Sequence, residues 1–136
     1  MKKLLVISNG KGEDSIAITI LNKFKQVLTE ENMESKNILI SVLPLVDNGS
    51  GYKKNGFDTI ATWGTMPSKG FNILNIFNLL KDLKFGLGHN LKKQIYFVKK
   101  ESQDTDLIVT VGDILPVFLA GFWGNKKPII HIGTAI

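Results

Sequence analysis

The chain contains no cysteine among its 136 residues. This absence excludes disulfide bonds, thiolate metal sites and cysteine nucleophiles, and it favours a reducing compartment. No run of about 18 consecutive apolar residues occurs, which is roughly the length that a membrane-spanning helix requires. The apolar run that follows Lys2 and Lys3 is also too short for a secretion signal. We therefore expect a cytoplasmic protein without a transmembrane anchor.

Acidic residues are the scarcer charge, because 12 Asp and Glu stand against 17 Lys and Arg and give a formal net charge of +5. This balance favours anionic partners. The lysines occur in scattered pairs, from Lys2-Lys3 to Lys126-Lys127, and aromatic residues do not interleave with them in a continuous tract. Such pairs are typical of a solvated surface, so we expect no nucleic-acid partner.

Short β-rich runs alternate with segments of helical periodicity along the chain. The predicted strands are Lys3–Ser8, Asn37–Leu43, Asp58–Thr62, Asp106–Val111 and Pro128–Ile132. Helices are predicted to begin at Asp14, Phe71, Leu91 and Ile114, and the glycine-rich segment Asp47–Gly56 is predicted to be a loop. This alternation predicts one Rossmann-like α/β domain over residues 1–136, with a mostly parallel sheet and helices on both faces.

In an open parallel sheet the ligand crevice lies outside the carboxyl ends of the strands. Glycine-bearing segments follow the predicted strands at 8–14, 44–51, 64–70, 112–113 and 133–135. In the first of them, Gly10 and Gly12 can bring backbone amides to a ligand beside the amino end of a helix. The dinucleotide fingerprint and the P-loop pattern are both incomplete there, so we expect no cofactor. His89 and His131 have no acidic or histidine partner at a metal-ligand spacing, so we expect no metal.

Three carboxylates lie in these segments, and each has two interpretations. Glu13 and Asp14 begin the first helix, where they either interact with the helix dipole or accept hydrogen bonds from sugar hydroxyls. Asp113 precedes a helix with Pro116 in its first turn, and it is either an N-cap or the general base of a crevice. The residues alone leave both pairs of alternatives open.

The segment from Ile73 to Leu83 carries a wide apolar stripe, which is typical of a helix face that packs on a core. Lysines and phenylalanines flank the stripe, a mixture that also fits peripheral contact with an anionic membrane surface at the inner face of the membrane. The flanking residues are Lys69, Phe71, Phe77, Lys81, Lys84, Phe85, Lys92 and Lys93.

Three phrases occur together in this chain: ISNGKGED at Ile7 to Asp14, WGTMPSKGF at Trp63 to Phe71 and VTVGDILP at Val109 to Pro116. LPLVDNGSGY at Leu43 to Tyr52 and IHIGTA at Ile130 to Ala135 accompany them. Together they resemble the lipid-A-disaccharide synthase-related glycosyltransferases, over essentially the whole chain. Members of that family are similar to GT-B enzymes with two facing Rossmann domains, of which the first mainly handles the acceptor and the second the nucleotide-sugar donor.

The resemblance implies that this chain is the amino-terminal, acceptor-side domain and that the donor-binding half is absent. It implies hexosyltransferase-type transfer of a sugar from a nucleotide donor to a lipid-like acceptor, with no activity until a separate donor-binding chain completes the enzyme. A truncated remnant is the other version of this hypothesis. Asp113 is the implied catalytic base. The implied substrate-binding residues are Asn9, Gly10, Gly12, Glu13, Asp14, Pro67, Ser68, Gly70, Gly112, Gly133 and Thr134.

The rival hypothesis comes from another class of function. It is a stand-alone Rossmann-like module that holds a small phosphorylated or nucleotide ligand without catalysis. The Gly10 to Asp14 loop supports it, because a glycine-bearing loop at a helix amino end suits anionic groups. Nucleotide affinity of the isolated chain separates the two hypotheses, since the acceptor-side hypothesis predicts little.

Overall fold

The computed structural model describes residues 2–31, 37–46, 49–60 and 88–134. The strands are β1 (Lys2–Ser8), β2 (Ile38–Pro44), β3 (Asp58–Thr59), β4 (Leu107–Gly112) and β5 (Ile129–Gly133). The helices are α1 (Lys11–Glu30), α2 (Ser50–Lys54), α3 (Gly88–Ser102) and α4 (Ile114–Trp123). The five strands form one sheet in the order β3-β2-β1-β4-β5, and every pair is parallel.

Strand β1 lies at the centre of the sheet and is covered on both faces. Leu5 and Ile7 pack in one apolar cluster with residues of α3 and α4. Leu4 and Val6 pack in a second cluster with residues of α1 and α2. Successive side chains of a strand point to opposite faces, so a continuous apolar run supplies both clusters. The predicted Rossmann-like α/β class is thereby confirmed.

The carboxyl ends of the strands lie level with one another. Ser8, the last residue of β1, pairs with Pro44 of β2 and with Val111 of β4. Gly112, the last residue of β4, pairs with Gly133 of β5. The segments that leave β1, β4 and β5 therefore begin at one edge of the sheet, where the chain order reverses between β1 and β4.

Helix α2 corrects the prediction of a loop over residues 47–56, which is wrong for Ser50–Lys54. Tyr52 in this helix has no exposed surface and packs in the cluster beneath α1. Five residues are too few to display helical periodicity in a sequence. Burial of one large aromatic side chain, rather than local pattern, therefore fixes this turn of helix.

Other boundaries shift by a few residues. Helix α1 begins at Lys11 instead of Asp14, and β3 covers only Asp58–Thr59. Strand β2 includes Pro44, since a proline at the last strand position removes no donor that the sheet requires; the Leu45 amide then donates to the Ser8 carbonyl at 2.7 Å. The helix predicted to begin at Phe71 lies outside the described residues.

None of the helices in the described ranges combines the length and the hydrophobicity that a bilayer span requires.

Candidate functional site

Asp113 lies directly beyond β4 at the carboxyl edge of the sheet. Its Oδ1 accepts a hydrogen bond from the Leu115 amide at 2.9 Å, so the residue caps α4. The same Oδ1 accepts from Nδ2 of Asn9 at 2.7 Å. Among the described residues none donates a hydrogen bond to Oδ2, and the side chain is half-buried. One carboxylate oxygen is therefore fixed by the fold, while the other can meet a ligand.

Asn9 is the residue that orients this carboxylate from the neighbouring strand. It follows β1 and is 8% exposed. Its Nδ2 donates to Asp113, which leaves its Oδ1 buried without a partner among the described residues. The role of Asn9 in substrate binding stays a prediction, and the structure shows in addition that its side chain positions Asp113. The signal for this role is a polar residue at the end of the strand adjacent to β4.

Gly112 makes the approach of Asn9 possible. Its φ is +144°, and a Cβ atom at this position would collide with Oδ1 of Asn9. The left-handed backbone and the missing side chain let Asn9 reach across the end of β4. The glycine predicted as part of the site is therefore a requirement for the Asn9 to Asp113 hydrogen bond.

Glu13 and Thr134 join the first turn of α1 to the end of β5. The Thr134 hydroxyl donates to Oε1 of Glu13 at 3.2 Å, and the Thr134 amide donates to the Gly112 carbonyl at 3.0 Å. Gly10 has φ +148° and lies so close to Glu13 that a Cβ atom would meet its carboxylate. Glu13 thus has a partner 121 residues away in the chain, in addition to its place near the amino end of the helix dipole.

A buried polar network lies beneath the first turn of α1. Ser8 Oγ donates to Oδ1 of Asp14 at 2.5 Å and lies 2.5 Å from the Tyr52 hydroxyl. Because the single Ser8 proton goes to Asp14, the Tyr52 hydroxyl donates to Ser8. Burial raises the pKa of Tyr52 far above its usual range, and the negative charge of Asp14 adds to this effect. Tyr52 therefore remains a proton donor at every physiological pH.

This network gives Asp14 a role that sequence reasoning missed. Asp14 is 7% exposed, and it links β1, α1 and α2 through Ser8 and Tyr52. In the sequence, Tyr52 alone hinted at this network, because an aromatic residue within a glycine-rich segment indicates a buried contact. Ser8 offered none, since a serine at a strand end is common in ordinary loops.

A polar groove of about 200 Å³ opens between the first turns of α1 and α2. Its lining residues are Lys11, Asp14, Ser15, Ile18, Ser50 and Gly51. Gly10, the N-cap of α1, provides no side-chain cap, so amides of the first turn keep hydrogen-bonding capacity. The groove offers hydroxyl, carboxylate and ammonium groups to a small polar ligand.

Of the remaining predicted site residues, two lie in described elements and three lie outside the described residues. Gly12 lies in the first turn of α1, where a Cβ atom would meet nothing within 4 Å, and Gly133 ends β5 beside Gly112. Pro67, Ser68 and Gly70 lie outside the described residues. Among the residues that the structure describes, no group of three or more acidic or histidine side chains is placed to hold a metal ion.

The parallel sheet, the helices on its two faces and the polar edge at its switch point define a Rossmann-like α/β domain. No protein-family model matches the sequence, and no curated protein matches it. The fold is similar to a solved structure described as the glycotransferase of kitacinnamycin, with a TM-score of 0.49 and 13% identity over 97% of this chain. This chain spans 30% of the length of that chain.

Proposed function

We propose that this chain is the acceptor-side half of a glycosyltransferase that resembles the lipid-A-disaccharide synthases. The observation that carries the proposal is the placement of Asp113. Its Oδ1 is held by the Leu115 amide and by Asn9, at the edge of the sheet where ligands bind in such folds. The carboxylate is oriented and half-buried, and no described residue donates a hydrogen bond to its Oδ2. Such a group suits a general base.

In the proposed reaction Asp113 accepts the proton of an acceptor hydroxyl. The hydroxyl oxygen then forms a bond to the anomeric carbon of a nucleotide sugar, with inversion. The bond between that carbon and the nucleoside diphosphate breaks, and the nucleoside diphosphate leaves with the electron pair. Asn9 supports this step through its hydrogen bond to Oδ1, because a fixed carboxylate needs less reorganisation during proton transfer.

Donor binding belongs, in this proposal, to a second Rossmann domain. The assembled enzyme brings the nucleotide sugar and a lipid-like acceptor together at the edge that carries Asp113. Placing two reactants in one orientation supplies much of the rate enhancement of such enzymes. The isolated chain is therefore expected to be inactive, and its lipid-like acceptor places it at the cytoplasmic face of a membrane.

Asp113→Asn tests the proposal in the assembled enzyme, with release of nucleoside diphosphate as the measurement. Asparagine caps helices about as well as aspartate, so the variant keeps the fold. Loss of the base is expected to lower kcat by about 10²–10⁴-fold. Asp113→Ala serves as the matched control for the cap, since it removes both functions and lowers the free energy of unfolding by about 1 kcal/mol.

An Asp113→Asn enzyme with kcat close to that of the native chain would contradict the role of the base. Failure of any donor-binding chain to co-purify from the source cell would contradict the split enzyme. Sequencing of the gene and its downstream neighbourhood distinguishes a second Rossmann half in frame, one out of frame, one in a separate gene, and none at all.

The second candidate is a stand-alone module that binds a small polar or phosphorylated ligand without catalysis. The groove between α1 and α2 favours it, because its lining combines an ammonium group with serine hydroxyls beside the amino end of a helix. Calorimetric titration of the isolated chain with nucleotides and sugar phosphates distinguishes the candidates. Tight binding that survives Asp113→Asn would support the module and count against the acceptor-side proposal.

A further inference from the structure

Three aromatic rings cluster at the carboxyl end of α4. The Phe118 and Phe122 ring centroids lie 4.6 Å apart, and each lies 5.8 Å from the Trp123 ring. Phe118 and Trp123 also pack against the core, whereas Phe122 is 70% exposed. Phe122 therefore presents an apolar ring to solvent that continues two partly buried rings.

Two lysine pairs lie in the chain segments that meet near this end of α4. Lys99 and Lys100 lie in the last turn of α3, and Lys126 and Lys127 follow α4. Lys99, Lys100 and Lys126 are exposed. The neighbouring acidic residues Glu101 and Asp104 both contact Lys3, and the charge of Lys127 also helps to lower the pKa of Asp104.

Hydrogen bonds hold the two helix ends together. Nδ2 of Asn125 donates to the Lys99 carbonyl at 2.9 Å and to Ser102 Oγ at 2.7 Å. Ser102 Oγ in turn donates to the Trp123 carbonyl at 3.4 Å. These bonds place the lysine pair of α3 next to the aromatic end of α4. We call the resulting set, Phe118, Phe122, Trp123 and the four lysines, the aromatic-lysine surface.

We infer that the aromatic-lysine surface binds an anionic lipid bilayer. Phe122 enters the boundary between headgroups and acyl chains, Trp123 lies at the headgroup level, and the lysines contact lipid phosphates. Lysine is depleted at protein interfaces, which makes a protein partner the poorer fit for four lysines around three rings. Phe122 and Trp123 lie at the opposite end of α4 from Asp113, roughly 15 Å along the helix axis, so the inference does not depend on the proposed chemistry.

Co-sedimentation with lipid vesicles tests the inference on the full chain. The protein is expected to bind vesicles of two parts phosphatidylcholine to one part phosphatidylglycerol and to remain unbound with phosphatidylcholine alone. Lys126→Gln/Lys127→Gln is expected to weaken binding on the order of tenfold, because each lysine near an anionic surface contributes to attraction. Phe122→Ser is expected to weaken it about tenfold through loss of apolar burial.

Two matched controls keep the result specific. Lys53→Gln/Lys54→Gln removes the same charge from the exposed end of α2, and Val27→Ser removes an exposed apolar side chain from α1. Both controls, and Asp113→Asn, are expected to bind like the native chain. Three outcomes would overturn the inference: no binding of the native chain, equal loss in Lys53→Gln/Lys54→Gln, or self-association without vesicles that Phe122→Ser abolishes.

Discussion

At the scale of the residue, Tyr52 shows how one hydroxyl connects three elements. It lies in α2, contacts Ser8 at the end of β1, and stabilises the geometry in which Ser8 donates to Asp14 of α1. All three side chains are buried. A buried hydroxyl that loses its partner keeps the cost of its desolvation, so such a network is sensitive to removal of a single oxygen.

Tyr52→Phe is therefore expected to lower the free energy of unfolding by about 1–2 kcal/mol. The substitution keeps the aromatic packing against Phe57 and removes only the donor to Ser8. Urea denaturation measures the effect. Tyr96→Phe is the matched control, because Tyr96 is 58% exposed, and its change is expected to remain within about 0.5 kcal/mol. Equal stability of the two variants would contradict the network.

At the scale of the element, the junction of β4 and α4 depends on close approach of a neighbouring strand end. Gly112 ends β4 with a positive φ, Asp113 caps α4, and Asn9 fills the space that a side chain at Gly112 would need. The junction thus aligns a strand, a helix amino end and the candidate base. A change in its backbone should affect stability and the position of Asp113 together.

Gly112→Ala is expected to lower the free energy of unfolding by about 2 kcal/mol or more, because the backbone strain and the collision with Asn9 add. Thermal unfolding measures it. Gly121→Ala is the control, and its effect on the free energy of unfolding is expected to have the opposite sign, since a Cβ atom at this position in α4 meets nothing within 4 Å. Alanine in a helix interior is expected to stabilise by about 0.5–1 kcal/mol. A stabilised Gly112→Ala chain would contradict this account of the junction.

At the scale of the whole molecule, Lys3 links the beginning of the chain to its second half. Its Nζ lies 3.2 Å from Glu101 and 2.9 Å from Asp104, and its amide donates to Asp106 at 2.8 Å. These contacts connect β1 to the end of α3 and to the turn before β4. The hydrogen bond from Lys3 lowers the pKa of Asp104 below its ordinary value, and the charge of Lys3 acts in the same direction.

The sign of the pH dependence follows from this lowered pKa. Stability from the Lys3 to Asp104 pair is present above the ordinary pKa of an aspartate and is lost as pH falls through the lowered value. The native chain is therefore expected to exceed Asp104→Asn in stability at neutral pH, and the difference should shrink in acid. Urea denaturation across pH measures it. Asp104 is exposed, so high salt should also reduce the difference; a difference independent of pH and salt would count against the pair.

The fold class and most elements follow from the sequence. The run Leu4 to Ile7 is apolar at every position, which predicts a strand buried on both faces, and α1 displays its apolar side over many turns. These signals are local, so a single chain segment carries each of them. Helix α2 escaped prediction because Tyr52 gains its burial from partners outside the segment.

In the candidate site, too, the sequence predicts the features that lie within one chain segment and does not predict the contacts between distant segments. The sequence by itself determined that glycine-bearing segments follow the strands and that Asp113 precedes a helix, since strand ends and caps are local features. Only the tertiary structure decided that Asn9 holds Asp113, that Thr134 meets Glu13 and that Ser8 lies between Asp14 and Tyr52. The order of the strands brings distant residues to one edge, and no local pattern encodes which side chains face each other there.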